Sequence, residues 1–390
     1  MIMETQIITE GKTKLEVSKL EDYQTSPNEY VPSLTPVFFN PLMELSRDIS
    51  VASTQILSQE LREPQVCDAL AGVGARGIRY GNEINEINKI IVNDKSPQAV
   101  KLIQKNIQHN NLQNATATNE DANKLLQSHE NSIQIIDLDP FGSPAPFLNS
   151  ACSALSRNSA LLVTATDTAP LCGAHPKACE RKYGARSLRT PYCHELGLRI
   201  LIGSCQRIGA RRDIALTPVF SHSTQHFFRT HLKAEEGAKK ANSILKKQGY
   251  VSHCFNCGNR EINSGPFPIL PKKCKCGKEY QHSGPMWIGR ILEEKFVKKT
   301  KEEITKRNFS KNSEAQKLLN LCLKEANGPP TFYDLHKISG LTGTSPPKLN
   351  RVLKKLKKKN YFASRTHFLE TGIRTDASAE ELKKIISKNK

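Results

Sequence analysis

Gln65-Val66-Cys67-Asp68-Ala69-Leu70-Ala71-Gly72-Val73-Gly74-Ala75-Arg76-Gly77 reads as a short strand, a glycine turn and the start of a helix. Glycines spaced G-x-G-x-x-G let the chain turn tightly and bring its backbone close to a ligand. Alone the spacing is weak and fits a dinucleotide as well as another nucleotide-like cofactor. The residues downstream repeat the alternation. Lys89–Asp94 is a second strand, with Ser96-Pro97 as N-cap and first helical position before Val100, Ile103 and Ile107. Strands are expected around Ala115–Thr118, at Ile133–Leu138, at Ala160–Ala165 and at Ile214–Val219, and a helix from Tyr192 to Ile208. Repeated βα units with apolar runs imply an α/β, Rossmann-like fold, a parallel sheet covered by helices on both faces.

Upstream, residues 1–60 read as a polar arm followed by an amphipathic helix. Pro27, Pro32, Pro36 and Pro41 keep the arm extended, and Leu42, Leu45, Ile49, Ala52 and Ile56 recur at helical spacing. Downstream, a charged helical stretch near Lys233–Gly249 marks a break. The organisation expected is arm and helix over 1–60, a cofactor-binding domain over 61–240 and a C-terminal region over 241–390.

The chain of 390 residues carries 57 Lys and Arg against 38 Asp and Glu, a formal charge of +19. Residues 291–390 hold 23 of the basic and 11 of the acidic side chains. A gradient of this kind suits a polyanion, because neutralised phosphates release counterions. No run approaches the ~18 apolar residues of a membrane span, and the N-terminus lacks signal-peptide character. The expectation is a cytoplasmic protein without membrane contact. Its 11 cysteines are then thiols or metal ligands, not a disulfide framework.

The chemistry concentrates at strand ends. Asp68, Asp94 and Asp121-Ala122 follow three successive strands, where acids can accept from a ribose or an adenine edge. At the fourth, Asp137-Leu138-Asp139-Pro140-Phe141-Gly142 offers a carboxylate, a carbonyl and an aromatic face. Those groups suit a flat base with an exocyclic amine: the oxygens accept its hydrogens and the ring stacks on it. A delocalised amine is a poor nucleophile, so it must be held in line with the methyl group it attacks. A dehydrogenase has no general need of such a motif. The strand ends together point to methyl transfer onto a nucleobase amine.

Cys254-Phe255-Asn256-Cys257 and Cys274-Lys275-Cys276-Gly277 form C-x2-C and C-x-C pairs, which fit a closed zinc site with glycine-assisted knuckle turns. Cys172, His175, Cys179, Cys193 and His194 can be drawn as a second metal site. They are read instead as core thiols, a substrate loop at His175-Pro176, and a core or cap histidine at position 194. Residues 331–370 read as a helix, a turn, a second helix bearing Arg351, Lys354, Lys355, Lys357, Lys358 and Lys359, and a strand at Tyr361–Thr366. This is a helix-turn-helix-like unit with a possible wing, suited to phosphate contacts.

The sequence resembles the tRNA (guanine-26, N2)-dimethyltransferases of archaea and eukaryotes, in its archaeal form. The matching segments include Val37–Pro41, Ser46-Arg47-Asp48, Asp68–Gly77, Asp121–Asn123, Asp137–Ser143, Val163–Asp167, Leu171–Pro176, Cys193–Glu195, Gly284–Trp287 and Arg365–Phe368. The resemblance implies a class I methyltransferase domain using S-adenosyl-L-methionine, a tRNA substrate and dimethylation of guanine N2. It implies that Arg47, Arg76, Asp94, Asp121 and Ala122 bind the cofactor beside the Gly72 and Gly74 turn. Asp139 would hold the amine with the Pro140 carbonyl, and Phe38 and Phe141 would clamp the base. The C-terminal part would add zinc (Zn2+) at Cys254, Cys257, Cys274 and Cys276 and contact tRNA, and the enzyme is expected to act as a monomer. Two alternatives remain open: methylation of another RNA base amine such as adenine N6, and a zinc-ribbon RNA-binding protein whose methyltransferase domain is inert.

Overall fold

The computed structural model describes residues 4–26, 29–224 and 226–387; Pro27 lies outside them. Seven strands make the central sheet: β1 (Gln65–Asp68), β2 (Lys89–Asn93), β3 (Ala115–Thr118), β4 (Ile133–Leu138), β5 (Leu155–Ala165), β6 (Ile214–Thr224) and β7 (Phe227–Glu236). Their order across the sheet is β6-β7-β5-β4-β1-β2-β3. Strands β1 to β5 pair in parallel, while β7 runs antiparallel to both β5 and β6. The sheet is therefore mixed, correcting the all-parallel expectation. The charged look of Lys233, Glu235 and Glu236 disguised the end of β7 as part of a helical stretch; the helix begins only at Ala238 and ends at Lys246. The expected boundary between residues 240 and 241 thus falls inside a helix that packs on β6 and β7.

Reversing one strand brings the ends of β1–β6 and the start of β7 to a single edge. Helices Glu44–Gln59, Ala75–Glu83, Pro97–His109 and Glu294–Lys306 form one covering layer; Ala122–Ser128, Leu148–Ala154, Cys193–Ala210 and Ala238–Lys246 form the other. The core between them is aliphatic: Ile90, Ile135, Ile136, Leu161, Leu162 and Val163 are shut from solvent.

The N-terminal arm is not simply extended. Thr5–Glu10 and Thr13–Ser18 pair as an antiparallel hairpin. Leu15 and Val17 join the main core, while Glu10 pairs with Arg47 and Glu16 with Lys105. Ion pairs, of which Glu10–Arg47 is buried and Glu16–Lys105 is partly exposed, gave this hairpin a polar composition that hid it.

Two smaller units follow. Gln248–His253 is the centre of a three-stranded sheet flanked by Arg260–Ser264 and Gln281–Trp287. Residues 331–387 enclose their own core of Leu335, Ile338, Val352, Leu356, Ile373 and Leu382. Helices Leu335–Gly340 and Leu349–Lys358 stand there against a three-stranded antiparallel sheet that includes Ala363–Arg365 and Gly372–Thr375. Helix Ala379–Ser387 closes the unit. No helix among the described residues is long and apolar enough to cross a membrane.

Candidate active site

Gly72 and Gly74 adopt φ of 56° and 83°, turning the chain from β1 into the helix Ala75–Glu83. At Gly72 only hydrogen fits, because a Cβ would lie 2.6 Å from the Phe38 carbonyl oxygen. The segment carrying Phe38 is thereby laid over the turn. Gly74 faces inward, toward Ile78, Val92 and Ile103, so it shapes the turn from behind. Asp94 accepts the Gly72 N–H at 2.9 Å and the Ser96 N–H at 2.9 Å, fixing the turn to the end of β2. Asp121 caps the next helix by accepting from Asn123 at 3.0 Å, with Ala122 buried behind it.

Asp68 closes β1, in register with Asp137 on β4. Their environments diverge. Asp137 receives both Arg229 nitrogens, at 2.7 and 2.6 Å, and the Tyr80 hydroxyl at 2.7 Å. Burial pushes its carboxyl up, but Arg229 outweighs that and holds it below the usual range. Asp68 accepts the Gly77 N–H at 2.8 Å through Oδ2, and its Oδ1 is buried without a partner. Burial, then the neighbouring Asp137 charge, push this carboxyl up to about 8. An orphaned acceptor in a cleft is a place made for a donor or a cation.

The cleft is lined by Phe38, Arg47, Asp68, Arg76 and Asp139 together with the glycine turn. Arg76 Nε donates to Asp139 at 2.6 Å, and its other nitrogens hold Ser50 at 2.8 Å and Ser46 at 3.1 Å. Arg47 donates to Glu10 at 2.7 Å and to the Asn40 carbonyl at 3.1 Å. Arg47 thus reaches the cleft from the helix Glu44–Gln59 and Arg76 from the start of the helix Ala75–Glu83, both already braced by protein acceptors.

Past Asp139 the cleft widens into a concavity of about 640 Å³ between Phe38, Phe141, Thr166, Asp167, His226 and Phe227. Phe141 is 76 % exposed, and its ring lies 5.8 Å from that of Phe38, tilted by 57°. The preceding Pro140 is buried. Gly142 donates to Thr166 Oγ1 at 2.7 Å, and Tyr183 links Ser143 at 2.8 Å with Asp167 at 2.6 Å. These bonds pin the Asp139–Ser143 loop to the end of β5. Sequence reasoning missed Thr166, Tyr183 and Arg229 as supports. Their only signal was polar residues at otherwise apolar strand and helix positions.

The four cysteines Cys254, Cys257, Cys274 and Cys276 converge, with all sulfurs within 4.8 Å of one another. Cys254–Cys276 and Cys257–Cys274 both stand at 3.5 Å. Gly258 and Gly277 take φ of 74° and 82°, and the N–H groups of Asn256, Asn259, Cys276 and Lys278 each point to the sulfur two residues earlier. Cys172, Cys193 and His194 also lie within 4.8 Å of one another, leaving His175 and Cys179 outside. His194 is exposed against the Phe228 edge and so is not a core residue. His175 precedes the helix Pro176–Tyr183.

The chain matches the model of the N2,N2-dimethylguanosine tRNA methyltransferase family over residues 11–387. It is 42 % identical over 386 residues to a tRNA (guanine(26)-N(2))-dimethyltransferase of Methanosphaera stadtmanae, covering 98 % of this chain and 97 % of that one. It is 40 % identical to the protein of the same name in Methanosarcina barkeri, covering 97 % of each. The structure of Trm1 from Pyrococcus horikoshii in complex with S-adenosyl-L-methionine superimposes with a TM-score of 0.87 at 34 % identity, over 98 % of this chain and 99 % of that one. With the family model matched over residues 11–387 and relatives this similar over nearly the whole chain, the protein belongs to the N2,N2-dimethylguanosine tRNA methyltransferase family.

Proposed function

We propose that the protein dimethylates N2 of the guanine at tRNA position 26, with S-adenosyl-L-methionine as donor. The observation that carries this reading is Asp139 in the glycine-turn cleft, which shares its Phe38 wall with the adjoining concavity that Phe141 also lines. Bound in the cleft, S-adenosyl-L-methionine supplies an electrophilic methyl on a sulfonium. The unpartnered Asp68 Oδ1 fits the ammonium of its amino-acid portion, Asp94 a ribose, and Asp121 with Ala122 the adenine edge. Arg47 and Arg76 line the same cleft as cations for a carboxylate.

The guanine slots between Phe38 and Phe141, whose exposed rings gain cover when a base stacks. Asp139, steadied by Arg76, accepts an N2 hydrogen with the Pro140 carbonyl, turning the amine toward the methyl. After transfer the alkylated nitrogen gives up one proton to water, and once the spent donor is exchanged for a fresh one the single N–H that remains, held by Asp139, orients the second methylation.

The four cysteines fit a zinc ion. Tetrahedral Zn–S bonds of about 2.3 Å separate sulfurs by about 3.8 Å, and backbone N–H groups aimed at sulfur stabilise thiolates. The final unit reads as a winged helix, with Lys354, Lys358 and their neighbours holding tRNA phosphates.

Nucleoside mass spectrometry of an unmodified tRNA transcript treated with protein and donor tests the central reading. N2,N2-dimethylguanosine at position 26 is expected. A folded protein that yields none, or yields a methylated adenine instead, ends it.

A further inference from the structure

The helix Cys193–Ala210 leads into the start of β6, so its amino end lies at the same sheet edge as the base pocket. There it opens on a separate cavity of about 450 Å³. Three parts of the chain wall it: the Arg189–Cys193 segment, the cysteine-bearing lobe and the final unit. Its floor is buried and aromatic, with Tyr192 and Phe332 each 1 % exposed. At its lip Phe255 remains 46 % exposed and Leu341 43 %.

Several independent features prepare this cavity for an anion. An 18-residue helix presents its positive end there. Thr190, only 4 % exposed, has an Oγ1 with no hydrogen-bond partner. Arg189 and Lys337 are exposed at the lip, and neither is paired with a carboxylate. The Arg260 guanidinium lies 3.6 Å over the Tyr333 ring. The one carboxylate in the lining, Asp334, accepts the His336 N–H at 3.0 Å and the Thr371 hydroxyl at 2.9 Å, both through Oδ1. An anionic group joined to a flat apolar body is the chemistry of a nucleotide.

We propose that this cavity holds one unpaired nucleotide of the tRNA, its phosphate at the helix end with Thr190, Arg189 and Lys337, its base on Phe255. The inference rests on the reading of the chain as a tRNA methyltransferase and adds a second point of recognition. A base inside a duplex cannot enter a closed-floored cavity, whereas tRNA offers unstacked nucleotides to aromatic platforms. The position on the substrate edge and the +19 charge favour the tRNA itself over a free nucleotide.

The test measures binding of the full-length protein to an unmodified tRNA transcript at several salt concentrations, for the native chain, Phe255→Ala and Lys337→Glu. Each substitution is expected to raise Kd roughly tenfold, the worth of one stacked base or charge contact. Lys337→Glu should also lower the salt slope by about 0.7, the value for one single-stranded phosphate. In chemical probing, one unpaired nucleotide protected by the native chain should become reactive with Phe255→Ala. Lys337 belongs to the final unit and its side chain is exposed, so its variant controls for any disturbance beside Cys254. Unchanged affinity and footprint in both variants overturn the proposal. So does Phe255-dependent binding of 5′-GMP with tRNA affinity indifferent to both substitutions. Binding and protection are read without turnover, so a protein that binds tRNA but does not methylate it sinks the proposed function and not the pocket.

Discussion

Two carboxylates at adjacent strand ends show how placement decides chemistry. Asp137 is neutralised by Arg229, whereas Asp68, one strand over and in register, has a backbone amide and an orphaned oxygen. Burial and the Asp137 charge raise Asp68 to about 8, so the free protein holds a proton there that the unfolded chain releases above about pH 4. The sign follows: this group makes the free protein less stable as pH rises from about 4 to 8. A cationic ligand group favours the carboxylate, so donor binding should expel the proton. Affinity for S-adenosyl-L-methionine is expected to climb with pH up to about 8, and Asp68→Asn to weaken binding and remove the slope. Calorimetry in buffers of different ionisation enthalpy reads the proton directly. A flat pH profile for the native chain defeats this assignment. For Asp139, the Arg76 brace suits an anchor. Asp139→Asn, which keeps an acceptor, should lose roughly tenfold in kcat and Asp139→Ala a hundredfold or more, with little change in tRNA affinity. Equal losses in the two would make Asp139 the proton acceptor. Asp139 and Phe141 stand out in the sequence because an aromatic beside an acid at a strand end has few structural uses, whereas Phe38 is named only by the family resemblance. Thr166 and Tyr183 do not stand out, since each is an ordinary residue until the fold places it.

At the scale of elements, periodicity carried β1, β2 and β4 almost residue for residue, because strands buried on both faces must be continuously apolar. It failed at β7 and at the N-terminal hairpin, where buried charges replace apolar side chains. Arg229 is the clearest instance. It leaves β7, donates to Thr164 on β5 at 2.8 Å and reaches Asp137 on β4, fastening the reversed strand across its neighbour. Both charges are fully buried. Removing one partner leaves the other uncompensated in a low dielectric, at a cost of about 3–5 kcal/mol. Asp137→Ala is therefore expected to lower the denaturation midpoint steeply, while Arg229→Met in the Asp137→Leu background recovers most of the loss. A double substitution as unstable as the single one would show that the pair does more than cancel its own charges.

At the scale of the whole molecule, the boundaries expected from composition proved coarser than the packing. Helices Glu294–Lys306 and Asn312–Glu325 look in sequence like part of a C-terminal region, yet both pack back on Glu44–Gln59. Local sequence carries no record of which distant face a helix will cover. What fastens the last unit is equally non-local. Arg374 donates to Glu195, at the start of the helix Cys193–Ala210, at 2.8 and 3.0 Å, and to Glu325 at 2.8 Å. Burial pushes both glutamates up, but Arg374 with Arg199 at Glu195, and His367 with Arg374 at Glu325, hold each down to about 2. Their docking contribution is present above about pH 4.5 and is lost as pH falls toward 2. In Arg374→Met the same carboxyls lose their shared cation, so separation of the final unit should move to higher pH. Limited proteolysis across Gly328–Pro330 during an acid titration reads that separation, and near-ultraviolet dichroism reads the sheet. Cleavage is expected near neutral pH in the variant, with the sheet intact and donor binding retained, but with tRNA affinity weakened because the two RNA-facing parts are no longer held in register. If the sheet melts together with the cleavage, Arg374 belongs to one cooperative core and the final unit is not a separable clamp.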